Sequence, residues 1–204
     1  MPIPVASRST ALKHNPFSTK FVRPGAIEFY ASSGLDLNSI ADELMRHKIG
    51  QIVGPHGCGK TTLTHGLESL LGVSGQPFTT IRRITVRSKN DLTTSHCDQD
   101  SANSHGELLI VDGFKRLPWL HRRMLIANAK RSKTGLLITT HQRVRGIEVL
   151  AELTPSLESL IHVVRHLKPD PMPDPTLIED AFKRTNGNIR ESLMAMYDWF
   201  ESAT

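Results

Sequence analysis

Gly54-Pro55-His56-Gly57-Cys58-Gly59-Lys60-Thr61 is the stretch on which the reading of this chain turns. It fits the phosphate-binding pattern G-x-x-x-x-G-K-[ST]. The apolar run Ile49-Gly50-Gln51-Ile52-Val53 precedes it and reads as a buried strand. Behind it, Leu63, Leu67, Leu70 and Leu71 recur at helical spacing. Strand, glycine-rich turn and helix form the context such a pattern needs. The glycines let the backbone curl so that its N–H groups converge on a phosphate, and the helix that follows adds the positive end of its dipole. In this arrangement Gly54, Pro55, His56, Gly57, Cys58, Gly59, Lys60, Thr61 and Thr62 contact nucleotide. Lys60 reaches the outer phosphates as a point charge, and the Thr61 hydroxyl ligates Mg²⁺. The same positive surroundings are expected to lower the pKa of the Cys58 thiol, so that its alkylation blocks nucleotide binding.

Further along, Glu107-Leu108-Leu109-Ile110-Val111-Asp112 is an apolar strand that ends in an acid. In open α/β sheets the carboxyl end of a strand faces the ligand. Asp112 is therefore the second candidate metal residue, holding Mg²⁺ through water. Gly135-Leu136-Leu137-Ile138-Thr139-Thr140-His141 is another strand of central type, now with a polar end.

The eight residues at 54–61 are the Walker A motif as it stands here, and the chain resembles the P-loop NTPases. Residues 107–112 resemble Walker B. The strand ending at Thr140 and His141 resembles the sensor-1 strand of AAA+ ATPases, where a polar side chain reads the γ-phosphate. Gly187-Asn188-Ile189-Arg190 resembles the start of a sensor-2 lid helix, whose arginine leans over the β- and γ-phosphates. These features follow one another in the AAA+ order. The resemblance implies an α/β fold, a three-layer α/β/α P-loop core with a parallel central sheet and a short C-terminal helical lid. It implies ATP as substrate or ligand and Mg²⁺ as cofactor. Lys60, Asp112, Thr140, His141 and Arg190 are its catalytic candidates. The guanine-reading N/T-K-x-D motif does not occur, which favours adenine. A Thr-His pair after such a strand also resembles the ATP-binding cassettes, but their LSGGQ-type signature does not occur.

One position departs from the family. Many P-loop ATPases place a glutamate directly after the Walker B aspartate to orient water; here the residue is Gly113. Glu107 sits at the wrong end of its strand to replace it. Three functions follow: a regulatory or assembly ATPase of AAA+ type, a nucleotide-gated binding module with little hydrolysis, and a small-molecule or nucleoside kinase. Arg122, Arg123 and Arg131 keep the last of these open. Self-association belongs to the first, with Arg143 and Arg145 either acting in trans on a neighbour's nucleotide or remaining surface charges.

The remainder sorts around this core. Residues 1–34 are an arm rich in Pro, Ser, Lys and Arg, in which Phe17 to Tyr30 either supply adenine-side contacts or plug the core edge. Residues 35–168 form the nucleotide-binding core. Its first helix spans Leu35 to Lys48, capped by Asp36 or Asn38. Phe78 to Arg87 reads as a strand carrying Arg82, Arg83 and Arg87. Leu117 to Arg131 reads as a basic helix that turns Trp119, Leu120, Met124, Leu125 and Ala129 to the sheet and its Arg and Lys to water, with contact to a partner or nucleic acid as the alternative. Leu157 to Leu167 is a further helix. Residues 169–175, with four prolines, are a stiff linker, and 176–204 a small lid of two helices around Asn186-Gly187-Asn188. The polar stretch Ser88 to His105 reads as an exposed loop; its His96, Cys97 and His105 lack the spacing of a metal site.

The chain has 204 residues and a formal charge of +5, which permits nucleic acid or another acidic partner without specifying one. It holds two cysteines, no long apolar run and no apolar leader core. A cytoplasmic protein without membrane contact is expected.

Overall fold

The computed structural model describes residues 14–30, 34–72, 78–86, 106–132 and 134–203. The stretch 88–105, with His96, Cys97 and His105, lies outside them, as do Arg87 and residues 1–13. Five parallel strands form one sheet: β1 (Ile49–Val53), β2 (Thr80–Thr85), β3 (Glu107–Asp112), β4 (Gly135–Thr140) and β5 (Glu148–Glu152). Their order across the sheet is β2-β3-β4-β1-β5. The helices are α1 (Thr19–Val22), α2 (Leu37–His47), α3 (Lys60–Leu71), α4 (Trp119–Ser132), α5 (Leu157–Leu167), α6 (Pro175–Arg184) and α7 (Ile189–Ala203), with a 3₁₀ turn at Phe114–Arg116. The chain is thus α/β with an all-parallel sheet.

Strand alternation divides the core into two layers. Leu108 and Ile110 of β3 and Leu137 of β4 pack with α2 and α3, through Ile40, Leu44, Leu63, Leu67 and Leu71. Val111, Leu136 and Ile138 face the other way, against Phe114, Leu117 and Ala129. Strands buried on both faces read as continuous apolar runs, which is why 107–112 and 135–140 stand out in the sequence. Asp36, not Asn38, caps α2, accepting from the Asn38 and Ser39 amides at 3.3 and 3.0 Å.

The basic helix rotates away from its expected orientation. Leu125, Ile126 and Ala129 of α4 meet the sheet layer, while Trp119, Leu120 and Met124 are 62, 52 and 51% exposed. Its hydrophobic residues lie on two sides, and only one side can pack.

A second cluster gathers α5, α6 and α7 around Leu160, Val164, Ile178, Leu193, Met196 and Phe200. Phe17 from the N-terminal segment is buried in it, edge-on to Phe200. α5 thus packs with the two helices beyond the proline-rich stretch. Capping fixes where these helices begin: Ser156 caps α5, and Asp174 caps α6 with Pro175 in its first turn.

The buried Gln51 of β1 sets the loop between β4 and β5. Its side chain donates to the Val144 and Ile147 carbonyls at 2.9 and 2.8 Å and accepts from the Val144 amide at 2.8 Å. The arginines of β2 are likewise engaged internally. Arg82 pairs with the buried Glu107, and Arg83 bonds Glu68 at 2.7 Å and Thr64 at 2.9 Å. Among the described residues, no helix is long and apolar enough to cross a membrane.

Candidate functional site

Because all five strands run the same way, their carboxyl ends share one edge. β1 and β3 flank β4 in the sheet, so the chain segments leaving β1, β3 and β4 meet there. The chain leaving β1 forms the glycine-rich loop, and its entry is tied to β4 by the Gly54 amide donating to the Thr140 carbonyl at 3.1 Å. Gly57 and Gly59 take φ of 70° and 92°, turning the loop back onto α3. Among the described residues, no side chain caps α3. Its first-turn amides, which include those of Thr61 and Thr62, have no acceptor within the helix.

Lys60 folds back over the loop. Its Nζ donates to the Gly54 and Pro55 carbonyls at 2.7 and 2.5 Å, and the residue is 8% exposed. Burial lowers its pKa, with Cys58 and Asp112 opposing the shift. Cys58 departs from the expectation of a lowered thiol pKa. It is buried, and desolvation pushes its thiol up, outweighing the ammonium of Lys60 3.9 Å away. Lys60 and the loop amides favour a thiolate, but this thiol is buried in the apolar core, where a thiolate loses its hydration.

Asp112 and Thr61 meet directly. The Thr61 hydroxyl donates to Asp112 Oδ2 at 2.8 Å, across 51 positions of sequence. The other carboxylate oxygen accepts from the Thr139 hydroxyl, which itself accepts from the Gly113 amide at 3.0 Å. Thr139 holds the carboxylate that faces Thr61, a part the sequence reading left unassigned. The register explains it: Val111 pairs with Ile138, so Asp112 lies beside Thr139 on the α3 side of the sheet. Thr140 alternates to the other side. Its hydroxyl is buried and has no hydrogen-bond partner among the described residues.

His141 begins the next loop. Its Nδ1 lies 3.2 Å from the Gly54 carbonyl and 3.4 Å from Lys60 Nζ. Its ring stands 3.8 Å from that of His56. Desolvation against the loop, then the charge of Lys60, lowers its pKa. A neutral ring that donates from Nδ1 to Gly54 leaves Nε2 as an acceptor.

α7 also reaches the loop. A methyl group on Gly57 would lie 1.8 Å from Asn188 Oδ1. That same oxygen accepts from the Glu191 amide, and Asn188 Nδ2 donates to Glu191 Oε1 at 2.7 Å, so one residue both caps α7 and touches the loop. Arg190 follows in the first turn and is exposed. Of the N-terminal aromatics, Phe29 abuts Gly59. Tyr30 stacks on His162 and bonds Glu158, and Phe17 belongs to the helical cluster. Arg143 pairs with Glu152 on the surface.

Gly113 has φ 81°, and a Cβ there would meet the Val86 carbonyl oxygen at 2.8 Å. No larger residue fits this backbone as it stands. Oxygen donors at Thr61 and Asp112, beside uncapped amides and a buried lysine, suit a hydrated Mg²⁺ ion carried by a phosphate chain. Among the described residues, no group of three or more His, Cys, Asp and Glu side chains is placed to hold a metal. No protein-family model matches the chain, and no curated protein matches its sequence.

Proposed function

We propose that this chain is a P-loop nucleotide-binding protein of AAA+ type that binds Mg²⁺ and ATP at the carboxyl edge of its sheet and hydrolyses ATP slowly. The observation that carries this reading is the contact between Thr61 and Asp112 at the mouth of a glycine-rich loop whose lysine is already folded inward. A phosphate chain bound there would supply the negative charge that releases Lys60 from the Gly54 and Pro55 carbonyls. The α3 amides and Lys60 would then neutralise charge on the phosphate oxygens, and Thr61 and Asp112 would hold the metal's water shell. Thr139 keeps Asp112 aimed at Thr61. His141, neutral and with Nε2 open, accepts a hydrogen bond from water at the same edge, while the Thr140 hydroxyl stays buried on the opposite side of the sheet. Arg190, two residues beyond Asn188 and exposed, would meet the outer phosphates on a shift of α7.

Gly113 supports slow turnover, because a glutamate at that position would collide with Val86. The same observation favours a second reading, a nucleotide-gated binding module whose α7 responds to occupancy without hydrolysis. Titration with a fluorescent ATP analogue and phosphate-release kinetics, with Mg²⁺ present and absent, separate the two. Binding lost in Lys60→Ala, with slow release abolished in Asp112→Asn, is the expected result. Binding without release in the natural chain selects the gated module, and no nucleotide binding in the natural chain refutes both.

A further inference from the structure

Two neighbouring strands grip the first turn of α3. Asp112 of β3 accepts from the Thr61 hydroxyl at 2.8 Å. Beside it, at the edge of the sheet, β2 pairs with β3 so that Arg83 lies opposite Ile110 and Thr85 opposite Asp112. Ile81 packs in the α3 layer, so Arg83, two residues on, faces α3 as well. Its Nη1 donates to the Thr64 hydroxyl at 2.9 Å, and that hydroxyl donates to the Thr61 carbonyl at 2.9 Å. Nε and Nη2 of the same guanidinium donate to Glu68 Oε2 at 3.0 and 2.7 Å. Thr64 is fully buried, and the Arg83 side chain is 15% exposed.

Chemistry fixes the direction of these bonds. A guanidinium has no lone pair to offer, so the Thr64 hydroxyl accepts from Arg83 and sends its one proton to the Thr61 carbonyl. Arg83 therefore orients the bond that Thr64 makes to Thr61. Hydrogen bonds run without a gap from Glu68 through Arg83, Thr64 and Thr61 to Asp112 and Thr139. We propose that Arg83 and Thr64 are positioning residues for the metal site, which hold Thr61 where its hydroxyl and Asp112 can share one ion. This rests on the nucleotide reading above. A Mg²⁺ ion taken up there would replace the direct bond between Thr61 and Asp112, while the tie from the Thr61 carbonyl through Thr64 to β2 stays in place. The charge of Arg83 is matched by Glu68, and Thr64 is fully buried, so neither is expected to bind the phosphate chain itself. The metal, rather than the nucleotide, should depend on them, as it does on partners that orient ligands elsewhere.

The test measures the affinity of the full chain for a fluorescent ATP analogue, once in EDTA and once with saturating Mn²⁺. The ratio of the two affinities is the metal's own contribution. Arg83→Gln and Thr64→Val should each lower that ratio about tenfold and leave the affinity in EDTA within about twofold. Valine keeps the shape of threonine and removes the hydroxyl. Thr64→Ser restores the hydroxyl and should restore the ratio, even where the melting transition falls. Arg83→Gln added to Thr64→Val should cost nothing further, because Arg83 acts through that hydroxyl. A purely structural Arg83 would lower both affinities together, or add its loss in full to that of Thr64→Val. A natural chain that binds no analogue, or binds it no better with Mn²⁺, removes the nucleotide or metal reading and this proposal with it. A natural chain that gains affinity with Mn²⁺, and a ratio unchanged in Arg83→Gln or in Thr64→Val, overturns the positioning role alone. Equal losses in both media, or additive losses in the double variant, overturn it as well.

Discussion

Gly57→Ala probes the join between the glycine-rich loop and α7. The new methyl group meets two obstacles. The backbone there has φ 70°, and a non-glycine residue held in the left-handed region costs about 1–2 kcal/mol. The methyl would also lie 1.8 Å from Asn188 Oδ1 and 2.6 Å from its Cγ, so Asn188 must leave. Its departure uncaps α7, worth about 1 kcal/mol. Gly57→Ala alone should therefore destabilise the protein by about 2–3 kcal/mol. Asn188→Ala alone removes only the cap, at about 1 kcal/mol. The double variant loses the cap once rather than twice. It should match Gly57→Ala, with a coupling of about 1 kcal/mol between the sites. Urea denaturation gives the cycle, and hydrogen exchange at the Glu191 and Ser192 amides shows whether α7 frays in the single variants. Additive losses, or unchanged α7 exchange in Gly57→Ala, would refute the claim that one residue serves both as cap and as loop contact.

Three further outcomes are expected. In a Cys97→Ser background, Cys58 should react with iodoacetamide more slowly than a free cysteine peptide at pH 8 and at the peptide's rate in denaturant, because burial raises its pKa and hides its sulfur; equal rates in the folded protein would contradict the buried placement. Gln51→Leu should destabilise by about 2–4 kcal/mol in urea, since the Val144 amide and the Val144 and Ile147 carbonyls lose their partner in a buried place; a loss below about 1 kcal/mol would mean water replaces the side chain. His65 and His141 both have lowered pKa values. Unfolded imidazoles take up protons from about pH 6.5 downward, whereas these two do so only at lower pH, so stability should fall as pH drops through that window. Replacing both by Gln should flatten this part of the stability–pH curve, and an unchanged curve would assign the slope to other groups.

Sequence alone determined the parts of this protein that depend on local chemistry. A run of apolar residues long enough for a central strand, a glycine-rich turn before leucines at helical spacing, and an acid closing a second apolar run are each readable in a short window. So is Asn188 before Ile189, because capping acts over three residues, whereas Asp174 and Pro175, read as linker, open α6. What tertiary structure decided are questions of facing. Thr139 and Thr140 are neighbours of the same type, and only the Val111–Ile138 register puts Thr139, rather than Thr140, beside Asp112. Cys58 lies in a loop expected to be positive by sequence, yet whether it points to solvent or into the core sets the direction of its pKa. α4 has apolar residues on two sides, and the sheet has room for one. Gly113 is a missing glutamate in sequence, and in three dimensions it is a position that the Val86 carbonyl closes to any side chain. Propensity, period and spacing are properties of one segment. Which side of a segment is buried depends on a partner tens of residues away, and only the packed sheet and helices supply it.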